Sequence, residues 1–411
     1  MNKKEIAPSV WLSAQAANAF KTNRVSLTFL MPLDPMTASR AALLSFVLRA
    51  GCAQYPDVTA IGRVLQEMYG AEFDVSVRKK GDTQLVTFSL DFLDRSFTEQ
   101  NEDTTAQAFA FLKEILFRPL LKDGSFSEAV VEREKKNLCD LIDSRINDKR
   151  LYALQRCAEL AAEGQPASQY EMGSCALVRE ITPEDLTEFY RRWLSQAQVR
   201  IFAFGRVGEA ETEAFFAPLF GERCPVALKN EPIPEREARV VTERFPVEQA
   251  KLSMAFGVEG EAEVVTLAHI LLGGSANSLL FQNVREKESL CYYCSTWPEK
   301  LKKMLVVYAG IQPKNAQRTR EAILEQVQAL QKGEFSAEDL AAAKKTLIHT
   351  LRAMGDSTWR MEDEAITQSL LGTDQTPDQR RERVETITAQ EIMAVAQTMA
   401  LRCEYQLMNE G

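Results

Sequence analysis

The chain is written twice, and that repeat limits its possible folds more than any other feature. GSFSEAVVEREKKNL (124–138) and GEFSAEDLAAAKKTL (333–347) align without a gap. Phe126, Ser127, Lys135, Lys136 and Leu138 stand opposite Phe335, Ser336, Lys344, Lys345 and Leu347, each pair 209 residues apart. Both runs predict a helix opened by a serine whose hydroxyl accepts a free amide of the first turn. A second match keeps nearly the same spacing. Ile181-Thr182-Pro183-Glu184-Asp185 and Ile387-Thr388-Ala389-Gln390-Glu391 lie 206 residues apart and predict threonine-capped helices, the first with proline at its opening position. Two matches in almost one register indicate a duplicated domain.

Each copy reads as a strand, helices, a strand hairpin and more helices. In the first, RVSLTFLMPL is a strand, Thr37–Leu48 and Val58–Tyr69 are helical, and EFDVSVR and QLVTFSLDFL alternate as strands around the turn KKGD. In the second, QAKLSMAFGV is a strand, VVTLAHILL a helix, and LCYYCSTW and MLVVYAGI a hairpin. Hairpins call for an antiparallel sheet, and amphipathic helices must cover a face of it. The predicted fold is α+β: two tandem homologous domains, each an antiparallel sheet covered by helices. Residues 1–222 form the first domain and 240–411 the second; 223–239, with Pro225, Pro232 and Pro234, are a stiff linker.

Composition narrows the function classes. Of the 411 residues 45% are hydrophobic and 26% charged, as in folded globular proteins. A net charge of -9 argues against nucleic acid as a partner, because neutralising phosphates takes a clustered basic surface. No apolar run approaches the roughly 18 residues of a membrane span. The opening MNKKEIAPSVWLSAQAANAF lacks the apolar core of a signal peptide, which predicts a cytoplasmic protein. The eight cysteines are scattered and read as reduced, mostly buried thiols. Cys291-Tyr292-Tyr293-Cys294 has CxxC spacing, but it lies in a strand-like run without a second CxxC, so its cysteines read as structural.

LLGGSANSLLFQNVREKESLCYY (271–293) resembles the second-domain pattern of the insulinase/pitrilysin-type zinc peptidases. LRAGC, LQEMYGAEFDVSV, VEREKKNL and ITPEDLTEFYRRWL follow that family's first-domain order, so the resemblance covers nearly the whole chain. The family includes mitochondrial processing peptidase and the core proteins of the respiratory bc complex. This chain is most similar to the short bacterial type, and within it to proteins encoded as unequal pairs.

Active members of that family carry an inverted motif, HxxEH, on a helix of the first domain. Two histidines four apart share a helical face and reach one zinc, while the glutamate takes a proton from the zinc-bound water. Here the three positions are Ala42, Ser45 and Phe46, and the third ligand falls on Leu141. None of these can do the job, and the mostly apolar replacements predict a site filled by packing. Realignment does not help, because the two histidines, His269 and His349, both lie in the second copy. They fall near the equivalents of Phe46 and Asp140 and could approach each other, but Val265 and Ala268 at the other motif equivalents supply neither ligand nor base. The expectation is no metal and no cofactor.

The resemblance also implies that Arg285 and Tyr292 bind substrate. A guanidinium presents a fixed fork of donors and a phenol can donate to a developing oxyanion, so the pair suits a peptide backbone near its scissile bond. The expected function is a non-catalytic subunit of a two-chain zinc peptidase. Its partner would be a homologous HxxEH-bearing subunit and its substrate a peptide or unfolded polypeptide. The alternative is a catalytically inert structural or peptide-binding protein, as a homodimer. A serine or cysteine hydrolase finds no support, since Gly-x-Ser-x-Gly is absent and no cysteine sits in a Cys/His setting.

Overall fold

The computed structural model describes residues 2–16 and 20–409. The chain divides into two compact units, Met1–Ser144 with Gln169–Lys229, and Arg145–Ser168 with Asn230–Gly411.

The first unit begins with strands β1 (Asn2–Ala7), β2 (Val10–Ala16) and β3 (Thr22–Pro32), then helices α1 (Pro35–Ala50) and α2 (Val58–Glu67). The hairpin β4 (Glu72–Lys80) and β5 (Thr83–Leu93) follows, then α3 (Thr104–Phe117), the short β6 (Leu121–Lys122) and β7 (Ser125–Phe126), and α4 (Glu128–Ser144). The next helix, α5 (Lys149–Ala161), packs with the second unit. The chain then returns to the first unit with α6 (Cys175–Glu180), α7 (Pro183–Gln196), β8 (Gln198–Gly205) and α8 (Glu209–Phe216).

The second unit repeats the plan with β9 (Arg239–Arg244), β10 (Ala250–Gly257) and α9 (Ala262–His269), which runs on into the π-helical turn Ile270–Gly274. A second π-helical stretch, Leu280–Lys287, leads to the hairpin β11 (Cys291–Glu299) and β12 (Met304–Ile311). Helices α10 (Ala316–Lys332), α11 (Ala337–Arg352), α12 (Thr358–Leu371), α13 (Pro377–Thr386) and α14 (Ala389–Gln397) precede the last strand, β13 (Ala400–Met408). No described helix is long and apolar enough to cross a membrane.

Duplication is visible in the strand order. The first sheet runs β1-β2-β8-β3-β5-β4 and the second, from its other edge, β9-β13-β10-β12-β11. Apart from the extra β1, strand for strand these are one topology. Each sheet is antiparallel except for one pair, β2 with β8 and β9 with β13. The repeated caps behave as expected at Thr182, Ser336 and Thr388, which form reciprocal capping boxes with Asp185, Asp339 and Glu391. At Ser127 the first turn closes through the carbonyl, which accepts from the amides of Val130 and Val131 at 3.0 Å.

Helix α5 separates sequence order from spatial order. Its buried face, Ala153, Leu154, Cys157, Leu160 and Ala161, lies against Ala255, Val306, Cys403 and Tyr405 of the second sheet. The opposite face of that sheet meets α9, α10, α11 and α14 through a separate core built on Leu252, Leu267, Leu305 and Ile323. Burying Leu154 and Leu160 contributes on the order of 2 kcal/mol each, enough to fix the helix there. The segment 223–238 has no regular structure, and β9 begins at Arg239, the last residue of the expected linker. In the second unit, Lys302 Nζ donates to Glu231 O at 2.6 Å and Gln165 Nε2 to Pro232 O at 2.7 Å, which tie the segment down.

Candidate functional site

The positions that would hold zinc lie on α1 and α4, which pack together in the first unit. Asp34 caps α1 by accepting from the amides of Met36 and Thr37, and the helix buries Ala42 and Ser45 completely. Ser45 Oγ donates to Ala42 O at 2.7 Å, so the one polar side chain at these positions is satisfied by its own helix. Phe46 packs against the first core and is partly buried. Leu141 corrects the expectation of a site filled throughout by packing: it is 42% exposed on α4, because it lies beyond the buried stripe of Val131, Leu138 and Cys139. A methyl, a hydroxyl already donated, a phenyl and an isobutyl group are no donor set for zinc. The residues do not fit the metal. Among the described residues no group of three or more His, Cys, Asp or Glu side chains could hold one.

Arg285 and Tyr292 are brought to neighbouring elements of the second unit, the π-helical stretch Leu280–Lys287 and the edge strand β11 packed against it. Leu280 and Val284 anchor the stretch in the core. Its amide bonds span five or six residues, Glu288 N to Asn283 O and Leu290 N to Val284 O, both 3.1 Å. This wide turn puts residues four apart above one another, and the Arg285 guanidinium lies 4.6 Å from the Phe281 ring centre. Helix α10 holds the end of the stretch: Arg318 makes a two-pronged bond to Glu288 at 2.9 and 2.8 Å, and Asn283 donates to Gln326 at 2.7 Å. Arg285 keeps a side chain 40% exposed and a loose contact with Glu286 at 3.7 Å.

Tyr292 owes its placement to a β-bulge. Cys291 pairs with Ile311 and Tyr293 with Gly310, which leaves Tyr292 as the extra residue on the edge strand. Its neighbours turn inward. Tyr293 lies across Gly310, where an added Cβ would sit 2.4 Å from the ring, and the Arg150 guanidinium of α5 covers it at 4.7 Å. Cys294 is buried on the other face. Tyr292 is left 48% exposed, its hydroxyl accepting from Gln312 Nε2 at 3.4 Å. That bond leaves the phenol proton free to be donated outward.

Comparison with known proteins gives this arrangement its lineage. A family model described as "Peptidase M16 inactive domain" matches residues 180–347. Over 406 residues, 96% of this chain and 95% of the other, the sequence is 26% identical to "Probable inactive metalloprotease YmfF" of Bacillus subtilis (strain 168). The fold matches the crystal structure of a conserved protein from Enterococcus faecalis V583 with a TM-score of 0.88, 28% identity, and coverage of 100% of this chain and 98% of that one. The chain is similar to inactive M16 metallopeptidases. These are of the insulinase/pitrilysin type that the sequence resembles. It is also similar, at 23% identity over 241 residues, to "Uncharacterized zinc protease YmxG" of Bacillus subtilis (strain 168), covering 56% of this chain and 58% of that one.

The two histidines of the second copy sit in different surroundings. His349 is exposed on the last turn of α11. His269 is enclosed at the end of α9: Nδ1 is 2.6 Å from Thr296 Oγ1, and Gly274 packs so close that a Cβ there would lie 3.0 Å from Nε2. Burial, with a smaller effect of Lys300, pushes His269 down to about 4. Its folded value therefore lies below the ordinary 6.5. Between these values the unfolded chain binds the proton and the folded chain does not, so stability falls as pH drops from about 6.5 to 4, by up to about 3 kcal/mol. His269→Phe is expected to flatten that part of the stability profile, measured by denaturant titration at pH 7 and pH 5. Equal slopes in the two proteins would refute the assignment.

Sequence reasoning missed Gln312, Arg318 and the bulge. A sheet register has to be known before one residue of LCYYC can be recognised as extra.

Proposed function

We propose that this chain is the non-catalytic subunit of a two-chain zinc peptidase, acting in the cytoplasm, whose partner is a homologous subunit with an intact HxxEH. The bulge that leaves Tyr292 exposed on β11, the strand packed against the stretch that carries the exposed Arg285, supports the proposal. A chain kept only as a scaffold has no use for an exposed phenol and guanidinium presented together at a sheet edge. Main-chain groups of the edge strand β11 can bond an extended peptide as an added strand, while Arg285 and Tyr292 orient one of its carbonyls. Similarity to both a probable inactive metalloprotease and an uncharacterized zinc protease of one bacterium supports the pairing.

The test is to tag this chain in its own cells, identify what co-purifies, and assay peptide cleavage by each chain alone and by the mixture. The expected result is an HxxEH-bearing partner and cleavage by the mixture at least about tenfold above either chain, with no zinc and no cleavage in this chain alone. Recovery of a homodimer without a homologous partner would favour the inert peptide-binding protein instead.

A further inference from the structure

Six of the eight free cysteines stand in three pairs, Cys139 with Cys175, Cys157 with Cys403, and the CxxC cysteines Cys291 and Cys294; sequence position conceals the first two. Cys175 Sγ lies 3.6 Å from Cys139 O, Cys157 Sγ lies 3.8 Å from Cys403 O, and Cys291 and Cys294 sit opposite Ile311 and Ala309 of β12 and pack on the same core. The first two pairs are poorly placed for thiol chemistry. Burial, Cys139 and Asp143 push Cys175 up to about 12, and Cys157 and Cys403 are fully buried beneath α5.

The third pair is different. Residues three apart on a regular strand point to opposite faces. The bulge changes that parity, because Cys291 pairs with Ile311 and Cys294 with Ala309, two positions apart on β12 and therefore on one face. Both cysteines pack against the same core, with Cys294 buried and Cys291 partly open to solvent. The neighbouring Cys294 thiol, and to a lesser degree the Arg285 charge, hold Cys291 below its ordinary thiol value, while Cys291 and burial raise Cys294. That is the division of labour a dithiol needs: an accessible attacking thiolate and a sheltered resolving thiol.

We propose that Cys291 and Cys294 form a reversible disulfide whose closure repositions Tyr292. The co-reactant is a low-molecular-weight disulfide. The Cys291 thiolate attacks one of its sulfurs, forming a mixed disulfide and expelling one thiolate. Cys294 then loses its proton and attacks Cys291 Sγ, forming the internal bond and expelling the second thiolate. Two protein thiols are oxidised and one small disulfide is reduced to two thiols. Same-face neighbours on a strand lie about 6.5–7 Å apart, at or beyond the upper end of the Cα separation a disulfide spans. Closure therefore tightens the bulge, and Tyr292 is one of the two residues inside the ring it makes. This consequence for peptide binding rests on the proposed function; the bond itself does not.

The experiment uses the full chain with Cys224→Ser, because Cys224 is exposed and would take an adduct of its own. The protein is incubated with oxidised glutathione, alkylated after denaturation, and mapped by mass spectrometry. The expected result is that the peptide containing Cys291 and Cys294 loses both alkylation sites, gains no adduct, and recovers them with dithiothreitol. Cys294→Ser should stop at a glutathione adduct on Cys291, and Cys291→Ser should leave Cys294 at least about tenfold slower to react. Two alkylated cysteines in that peptide, at a dose that fully oxidises a control dithiol peptide in the same tube, would overturn the proposal. A disulfide that forms but leaves binding of an unfolded peptide unchanged would overturn only the coupling to Tyr292. If the reduced chain binds no such peptide, the proposed function fails while the disulfide stands.

Discussion

If the proposed HxxEH-bearing partner is recovered, Arg285→Ala in that complex is expected to lower kcat/KM for peptide cleavage by about 100-fold, as removal of a donor to a developing oxyanion commonly does. The side chain is preorganised: its guanidinium is stacked on Phe281, and the stretch that carries it is clamped by Arg318 through Glu288. Ordering it on the substrate therefore costs little of the rotamer entropy that a free arginine would lose. Tyr292→Phe removes the hydroxyl and keeps the ring, so a comparable loss would assign the effect to donation rather than packing. Both variants should elute with the partner as the wild type does, because both side chains are exposed and neither anchors the core. Full cleavage rate in both, with the complex intact, would make this chain a scaffold. Gln312→Ala offers a graded control, since it loosens the phenol without removing it.

Legibility in the sequence followed the range of the interaction. The helices opened by Ser336, Thr182 and Thr388 are local events, each decided by a hydroxyl and a carboxylate three residues apart, and their spacing exposed the duplication. The absence of HxxEH was legible for a simpler reason, because a chain segment without histidine cannot supply it in any alignment. Non-local pairing was not legible. In α5, Leu154, Cys157 and Ala161 mark a buried face by their spacing, yet nothing in that pattern says which sheet will cover it. Strands β1, β2, β8, β9 and β13 were missed; the parallel pairs β2 with β8 and β9 with β13 join segments distant in sequence, which no local turn announces. The cysteine pairs needed folded distances as well. Arg285 and Tyr292 came from family resemblance, and the physical account of Tyr292 came only with the register of β11 on β12.

Arg380→Ala is expected to destabilise the second unit by about 3–5 kcal/mol, the cost of breaking a buried ion pair by removing one partner. Arg380 on α13 is 5% exposed, and Glu263 in the first turn of α9 is 1% exposed. The guanidinium donates to Glu263 Oε1 at 2.6 Å and to Glu364 Oε1 of α12 at 2.5 Å, joining three helices through one side chain. Without it, Lys300 at 3.6 Å still faces Glu364, but Glu263 is left with only the amide dipoles of its own helix end. A buried carboxylate in that position must either stay charged at a large desolvation cost or take up a proton. Denaturant unfolding followed by a probe in each unit separates the effect, since the first unit shares none of these residues and should unfold at its usual midpoint. The paired change Arg380→Met with Glu263→Met should recover much of the loss, because apolar groups of similar size need no counter-charge. A loss below about 1 kcal/mol in Arg380→Ala would show that water reaches the cluster and screens it. The consequence extends to the candidate site: α9 runs directly into the π-helical turn Ile270–Gly274, which packs on β11, so loosening its first turn loosens the support on which Tyr292 is displayed.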